Sequence, residues 1–388
     1  MFNMKKSDKF AKLKVTYLIT LSLLLFFIHN KYIIIGLIAF QILIWLFSKI
    51  SFKPLIKSLI KLKWFFLIII ISYTLLPPSD NAIATTINLH FFTVDIYFSG
   101  LTIALLMLSR ISLMVMASIW IRLSTSQLGF ISALRTFKIP ESIAIIIDLS
   151  LKQVMTEKKP KHRKTEKAKK PEKNKKTKIT FKELKLNKFK FINTLIEKNI
   201  QKSDNLLIQN YPEISQTKRK DILVILTVVV AIMSLKFLQL MPGLPIAPGH
   251  KNLLVIPLII LASLSTHMKN GGLAAGFATG IVSFLMGFGK FGIFEVFHFA
   301  LPGLVSDWLY PLIKNNQGNW LIVKLAIIGA ILGFTRFVAN ILILLLVGTP
   351  QIALIVMTPM LISQIVFGAL SSIICVIVIK KHNNGGWF

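Results

Sequence analysis

Long apolar runs alternate with short polar or basic stretches over most of the chain. A helix that crosses a bilayer core needs about 17 to 25 apolar residues, or fewer where flanking side chains reach the interface. About four such runs precede a lysine-rich stretch, and about six follow it. They are residues 15–28, 32–47, 64–76 and 100–123, then 222–240, 253–268, 272–288, 294–313, 321–347 and 352–379. The pattern predicts an all-α polytopic membrane protein with about ten transmembrane helices in two bundles.

The basic residues test this count, because cationic loops stay on the cytoplasmic side. Lysines cluster at 5–14 and at 49–63, whereas residues 77–99 contain neither Lys nor Arg. Residues 151–190 carry 17 Lys and Arg against 4 Asp and Glu. Four spans followed by six therefore place both termini and the joint between the bundles in the cytoplasm, with the spans in a bacterial plasma membrane. The first apolar run has no small-residue cleavage site after it and is interpreted as a retained span.

The composition narrows the class of protein further. Hydrophobic residues make up 54% of the 388 residues, far more than a soluble domain carries. A net charge of +31 suggests nucleic acid, but the cations lie between spans and no nucleic-acid-binding fold accompanies them. The single cysteine, Cys375, excludes a disulfide framework within the chain. No GxxxxGK[ST] phosphate loop occurs, so the chain is not itself an ATPase of that type.

These patterns divide the chain into residues 1–154, 155–220 and 221–388, called below the first block, the joint and the second block. Within the joint, residues 158–178 contain almost no apolar side chain and are predicted to be a disordered linker held against anionic lipid. Residues 181–207 interleave Phe, Ile and Leu with lysines, as in an interfacial amphipathic helix.

The most informative stretch of the first block is residues 100–154. It combines a long span that has Arg110 near its middle, a polar break at 124–126, and an amphipathic helix interrupted at Pro140. A guanidinium in hydrocarbon is costly and is expected to face protein, water or an acid. Alternatively, the span is tilted and Arg110 reaches the interface.

Together with the LRTFKIP run at 134–140, this stretch resembles the transmembrane T component of energy-coupling-factor (ECF) importers, the family that includes the CbiQ subunit of cobalt importers. The resemblance implies that Arg110, Arg135 and Pro140 belong to a coupling region. Long cytoplasmic helices there would transmit the motion of separate ATPase subunits. The family's short Ala-Arg-Gly signature is missing, so either the basic joint replaces it or the usual coupling is lost.

Polar residues are concentrated in the later spans of the second block. They are Glu295, His298, Asp307, Arg336, Asn340 and Gln364. Glu295 and His298 are three residues apart and share a helix face, and Pro302 is expected to break that helix. Ionisable groups inside a membrane are candidates for function, so these residues are predicted to bind substrate. The alternative is a structural ion pair, such as Arg336 with Asp307.

Two other features of the second block bear on its function. Gly272, Gly276 and Gly280 form a stripe that favours close helix packing, with a substrate-lining role as the alternative. A metal site formed by Glu295, His298 and His250 has little support from the spacing, so no metal is predicted.

Six spans, a Pro/Gly-rich outside loop at 241–252 and the ALPGLVSDWL run at 300–309 resemble the substrate-binding S component of the same importers. The resemblance implies a six-helix bundle that binds one vitamin or metal ion near its outer face and then reorients. The first span of this block lacks the Ala-xxx-Ala stripe with which many S components contact their T partner.

The sequence therefore predicts a non-enzymatic membrane subunit of an ECF-type ABC importer for a small solute, without a cofactor of its own and with ATP bound by partner ATPase subunits. One alternative is an intramembrane enzyme acting on a lipid or prenyl substrate, with Glu295, His298 and Asp307 as acid/base groups. Another is a non-transporting membrane scaffold.

Overall fold

The structure is a computed structural model that describes residues 10–28, 30–75, 84–89, 92–158, 200–201, 203–237, 252–287, 292–314, 320–347, 360–373 and 375. The helices are α1 (Ala11–Phe27), α2 (Lys31–Phe47), α3 (Lys53–Lys61), α4 (Lys63–Leu75), α5 (Phe98–Ser124), α6 (Gln127–Thr136), α7 (Glu141–Lys158), α8 (203–210), α9 (Gln216–Phe237), α10 (Asn252–Ser265), α11 (Gly271–Met286), α12 (Glu295–Leu309), α13 (Pro311–Lys314), α14 (Trp320–Val347) and α15 (Met360–Ile373). A 3₁₀ turn at Gly292–Phe294 precedes α12. Almost all of the predicted linker, most of the predicted amphipathic helix and the loop at 241–251 lie outside the described residues.

Within the described residues, every predicted apolar run overlaps a helix, as expected for an α-helical membrane protein. By length and composition, α5 and the Trp320–Leu342 part of α14 are able to cross a bilayer. Four further apolar helices, α2, α10, α11 and α15, are shorter. The number of crossings, about ten, stays a prediction.

One segment departs from the all-α prediction. Strands β1 (Ala84–Leu89) and β2 (Phe92–Tyr97) pair antiparallel, and the Thr86 hydroxyl donates across the pair to the Asp95 carboxylate at 3.0 Å. Thr, Ile, Val and Tyr dominate both strands, and these residues favour a strand where no packed helix partner decides otherwise. The sequence predicted a loop between spans here, and the structure gives that loop a short hairpin.

Helix α5 is the centre of the first block, with α1, α2, α3 and α4 packed around it. The Lys14 ammonium, in the second turn of α1, donates to the Ser124 carbonyl at the end of α5 at 2.6 Å. The start of α5 is so close to α4 that a Cβ at Gly100 would overlap the backbone of Tyr73. Helices α1 and α4 therefore run antiparallel to α5, which brings the two ends of the basic pattern, Lys14 and Arg122, to one side.

The polar break after α5 is a helix cap. The Ser126 hydroxyl accepts the Gly129 N–H at 3.0 Å and so starts α6, as serine commonly does at an N-cap. Lys138, with a left-handed φ of 60°, follows the end of α6, and the Pro140 carbonyl accepts the first backbone bonds of α7. The interruption predicted at Pro140 is confirmed.

Helix α7 is buried on all sides along its middle. Residues 144–151 are buried without exception, and eight consecutive helical positions cover more than two full turns. The helix packs against α6, α9 and α11. The coupling helices implied by the sequence resemblance are cytoplasmic, whereas the middle of α7, residues 144–151, is enclosed by protein. By its packing, α7 is joined to the second block.

Contacts at its two ends fix the direction of α7. At the end where α7 begins, Phe130 of α6 packs against Phe284 near the end of α11, with ring centroids 5.8 Å apart. Near the other end, the Ser203 hydroxyl donates to Gln153 at 2.8 Å. Since α9 begins beside Ser203 and α11 ends beside Phe284, α7 lies antiparallel to both.

Polar contacts to residues 203–211 hold the second half of α7. The buried Asp148 carboxylate accepts from the Tyr211 hydroxyl at 3.0 Å and pairs with Lys152 at 2.9 Å. Burial, with the Asp148 charge as the next cause, raises the pKa of Tyr211 to about 12. Lys152 also donates to Asn210 at 3.2 Å. The first block is thereby tied to the segment that leads into the second.

Helices α11 and α12 approach as closely as their backbones allow. A Cβ at Gly272, Gly276 or Gly280 would overlap the backbone of α12, and one at Gly303 would overlap Gly272 in return. The glycine stripe is therefore a packing surface, which confirms the packing interpretation of the sequence pattern.

One contact between the two blocks does not fit upright bundles with the topology that the charge pattern predicts. That pattern places Arg122 in the cytoplasm and residues 287–292 outside, on opposite faces of a hydrocarbon core about 30 Å thick. In the structure a Cβ at Gly287 would overlap the Arg122 guanidinium, and one at Gly292 would overlap the Ser118 hydroxyl. Two upright bundles cannot satisfy both the charge pattern and these contacts. The placement of the two blocks across a bilayer therefore stays a prediction.

Candidate functional site

Four helices of the second block converge on one buried cation. Arg336, in the middle of α14, is only 5% exposed. One terminal nitrogen, Nη1, donates to the Asn252 Oδ1 at 2.6 Å, and the other, Nη2, contacts the His298 Nε2 at 2.5 Å. The guanidinium carbon lies over the Phe299 ring, 5.5 Å from its centroid, within the range of a cation–π contact. These contacts join α10, α12 and α14.

Asn252 extends the network to the last described helix. As the first residue of α10 it is buried, and its amide nitrogen lies 3.4 Å from both the Gln364 side-chain oxygen and the Gln364 backbone oxygen in the second turn of α15. Glu295, the buried first residue of α12, acts electrostatically on Arg336. We call Asn252, Glu295, His298, Arg336 and Gln364 the arginine cluster.

The contact between Arg336 and His298 sets the state of the imidazole. A guanidinium has only donors, so the His298 Nε2 has to accept and the ring is neutral with its proton on Nδ1. Pro302 does not break α12 as predicted, because the helix runs continuously from Glu295 to Leu309. Proline nevertheless lacks the N–H that would bond to the carbonyl oxygen four residues earlier, that of His298.

Asp307 does not join this cluster. Its two carboxylate oxygens accept the backbone N–H groups of Gly272 at 2.8 Å and Leu273 at 2.7 Å, at the start of α11. An acid at this position satisfies two orphan donors and complements the helix dipole. Arg336 therefore does not pair with Asp307 among the described residues, and the structural ion pair considered as the alternative is not formed there. The acid/base trio proposed for an enzyme is also divided between two places.

Asn340 lies one turn after Arg336 on α14 and is half-buried. Six residues were predicted to bind substrate, and the structure brings Glu295, His298, Arg336 and Gln364 together, with Asn340 one turn away. Asn252 was missed by sequence reasoning. Its only signal was an amide residue exactly where the Pro/Gly-rich loop meets a span.

The three residues predicted to couple lie in two different places. Arg110 is buried in α5, where its Nη2 donates to the Ile28 carbonyl at the end of α1 at 2.6 Å. It therefore faces protein, as expected for an intramembrane cation. Arg135 and Pro140 are exposed at the corner between α6 and α7, beside exposed Phe137.

Within the described residues no group of three or more His, Cys, Asp or Glu side chains is arranged to hold a metal ion. His250, one member of the metal site weighed from the sequence, lies outside them.

Comparison with protein-family models gives a match to CbiQ, described as Cobalt transport protein, over residues 3–156. Curated proteins and solved structures give no match. Members of that family are transport components of ECF-type importers and function with ATPase subunits. The matched range covers less than half of the chain and ends within α7. It confirms the resemblance of the first block and, with the apolar helices, supports a membrane protein with a role in transport. The resemblance of the second block stays a prediction.

Proposed function

We propose that this chain is a membrane subunit of an ECF-type ABC importer for a small solute, in which the first block is the coupling part and the second block the solute-binding part. Separate ATPase subunits bind and hydrolyse ATP. The observation that carries the proposal is the family match over residues 3–156, because members of that family function in such importers.

The arginine cluster is the proposed solute site. Its residues come from four helices and lie at one end of the second bundle, since Asn252 and Glu295 begin their helices and Gln364 lies near the start of α15. Convergent polar groups within an apolar bundle suit recognition of one small polar molecule. The predicted topology assigns this end to the outside, where solute enters.

Reorientation of the second block fits the contact between the two blocks. The end of the bundle that carries the cluster lies against the Ser118–Arg122 end of α5, which the charge pattern assigns to the cytoplasm. A bundle that captures solute at the outer face and then turns would present the same end to the inner side. The contacts of Gly287 with Arg122 correspond to the turned arrangement.

Helix α7 is the proposed mechanical link. It continues from the α6–α7 corner directly into the second bundle, where α9 and α11 enclose it. A displacement of the corner therefore moves a helix that is packed inside the solute-binding part. This link needs no separate docking stripe, which is consistent with the absence of an Ala-xxx-Ala pattern in α9.

The α6–α7 corner is the proposed contact for the ATPase subunits. Arg135, Phe137, Lys138 and Pro140 are all exposed there, although Phe137 is a large apolar side chain. Aromatic residues and arginines are enriched at protein–protein interfaces, and Phe137 and Arg135 supply one of each here. The lysine-rich joint is proposed to rest on anionic lipid of the plasma membrane.

Purification of the tagged full chain from its native membrane tests the proposal. We expect an ATPase pair to copurify in fixed ratio and Phe137→Ser to release it. Gly36→Ala is the control, because nothing lies within 4 Å of the position of a Cβ there. A stable preparation that repeatedly lacks ATPase subunits would favour the scaffold and count against ATP-driven transport.

A further inference from the structure

The arginine cluster contains a cation whose charge and hydrogen-bonding capacity are only partly used. Arg336 offers five N–H donors, and the two acceptors that it contacts, Asn252 and His298, are both neutral. Its Nε is buried and has no hydrogen-bond partner among the described residues. Such an unsatisfied charged donor is costly to bury unless something else binds it.

The ion pairs of the described residues lie elsewhere. Lys152 pairs with Asp148 and Arg219 pairs with Asp204, while Arg336 has no carboxylate within 4.0 Å in that part of the chain. Glu295 acts on it only over a longer distance. A buried guanidinium ordinarily requires an anion in direct contact. The described side chains do not supply one to Arg336.

We infer that Arg336 binds the carboxylate of a monoanionic organic solute, through its Nε–H and a neighbouring terminal N–H. The planar fork of a guanidinium matches the two oxygens of a carboxylate. One cation beside the negative charge of Glu295 suits a single negative charge better than a doubly charged phosphate. This inference rests on the proposed function, since it specifies the class of solute at the same site.

The surrounding side chains hold the guanidinium ready for such a ligand. The Phe299 ring lies 5.5 Å from the guanidinium carbon, and Asn252 and His298 accept from the two terminal nitrogens. The Nε edge is left for the solute. Because less side-chain entropy is lost when the cation is already oriented, binding is stronger than at a mobile arginine.

The test uses the purified full chain in detergent, with benzoate and its neutral analogue benzamide as probes at matched ionic strength. We expect benzoate to raise the thermal unfolding temperature in a saturable way and benzamide to do so far less. Arg336→Gln should abolish the difference. Lys324→Gln, which removes a cation from the same helix three turns earlier, should leave it unchanged.

Arg336→Lys is the second variant, for the case that the glutamine variant fails to fold. It retains a buried cation but lacks the Nε–H. Benzoate should bind it about ten- to hundredfold more weakly, as expected when hydrogen bonds to a charged group are lost. Equal shifts with both probes, no shift with benzoate, or normal binding by the lysine variant would each overturn the inference.

The two proposals can fail separately. If benzoate binds at Arg336 but no preparation contains ATPase subunits, the carboxylate site is supported and the importer proposal is refuted. If ATPase subunits copurify but benzoate does not bind, the importer proposal is supported and the proposed carboxylate site is refuted.

Discussion

Gly276→Ala should destabilise the protein although it adds one methyl group to a helix. A Cβ at this position overlaps the Phe299 carbonyl oxygen of α12 and lies 2.8 Å from the carbonyl carbon and 3.1 Å from the Cα of Ala300. Ordinary contacts begin at 3.4 Å, and the carbonyl oxygen is nearer still than the carbonyl carbon, so α11 and α12 have to separate by more than about 0.6 Å. A gap of that size forfeits roughly a quarter to a half of each dispersion contact along the interface.

Overpacking of this kind costs about 1–3 kcal/mol, and the gain in helix propensity from Gly to Ala offsets about 1 kcal/mol of the total loss. With the widened interface we expect a net loss of about 2 kcal/mol. The assay is thermal unfolding of the purified variants in one detergent, followed by size-exclusion chromatography after heating.

Gly36→Ala is the matched control, because nothing lies within 4 Å of its Cβ position in α2. It should be neutral or stabilise by up to about 1 kcal/mol. If Gly276→Ala unfolds at the wild-type temperature, or if Gly36→Ala loses as much, the close approach of α11 and α12 is not what the glycine provides.

Three further outcomes are expected. Asp307→Asn should lower the unfolding temperature by an amount equivalent to about 1 kcal/mol, because charge is lost at the start of α11. Benzoate affinity should stay at the wild-type value. A selective loss of affinity would show that Asp307 belongs to the solute site. Phe137→Ser should lower ATPase activity in the reconstituted complex without changing the stability of the isolated chain, which thermal unfolding checks. Tyr211→Phe should destabilise by about 1 kcal/mol at neutral pH, by loss of the bond to Asp148. Because the folded pKa of Tyr211, about 12, lies above its ordinary value of 10.0, the difference should be constant up to about pH 10 and vanish by about pH 12; a difference that grows with pH in unfolding scans would contradict it.

The positions of most helices could be predicted because the bilayer permits few alternatives: an apolar run of sufficient length has to satisfy its own backbone bonds. The hairpin at 84–97 was missed because that segment lies between spans, where this constraint does not act. Its Thr, Ile and Val pattern was the available signal, and it was passed over as a loop.

The contacts between individual side chains were harder to predict than the helices themselves. Periodicity identifies the face of a helix that is buried, but not the helix that buries it. Arg336 was identified by its charge within a span, whereas Asn252 has an ordinary side chain at a loop boundary and gains significance only from the 2.6 Å contact. Asp307 had the same sequence signal as Glu295, yet the fold uses it to begin α11.

The position of α7 was also beyond the sequence. Residues 144–151 read AIIIDLSL and are apolar around most of the helix, so no face marks which neighbours will cover it. Their burial becomes evident only from the packing of α7 against α9 and α11.

The enclosure of α7 also constrains the order of assembly during synthesis. Helix α7 leaves the ribosome before α9 and α11 exist, and at ordinary elongation rates it waits on the order of ten seconds for them. Over that interval α6 is present but α9 and α11 are not, and the buried Asp148 lacks Tyr211, its hydrogen-bond partner. The packing of the half of the chain that is made first is therefore completed by the half that is made last. A ribosome that stalls within the lysine-rich joint leaves an unfinished bundle, which is a natural target for membrane proteases.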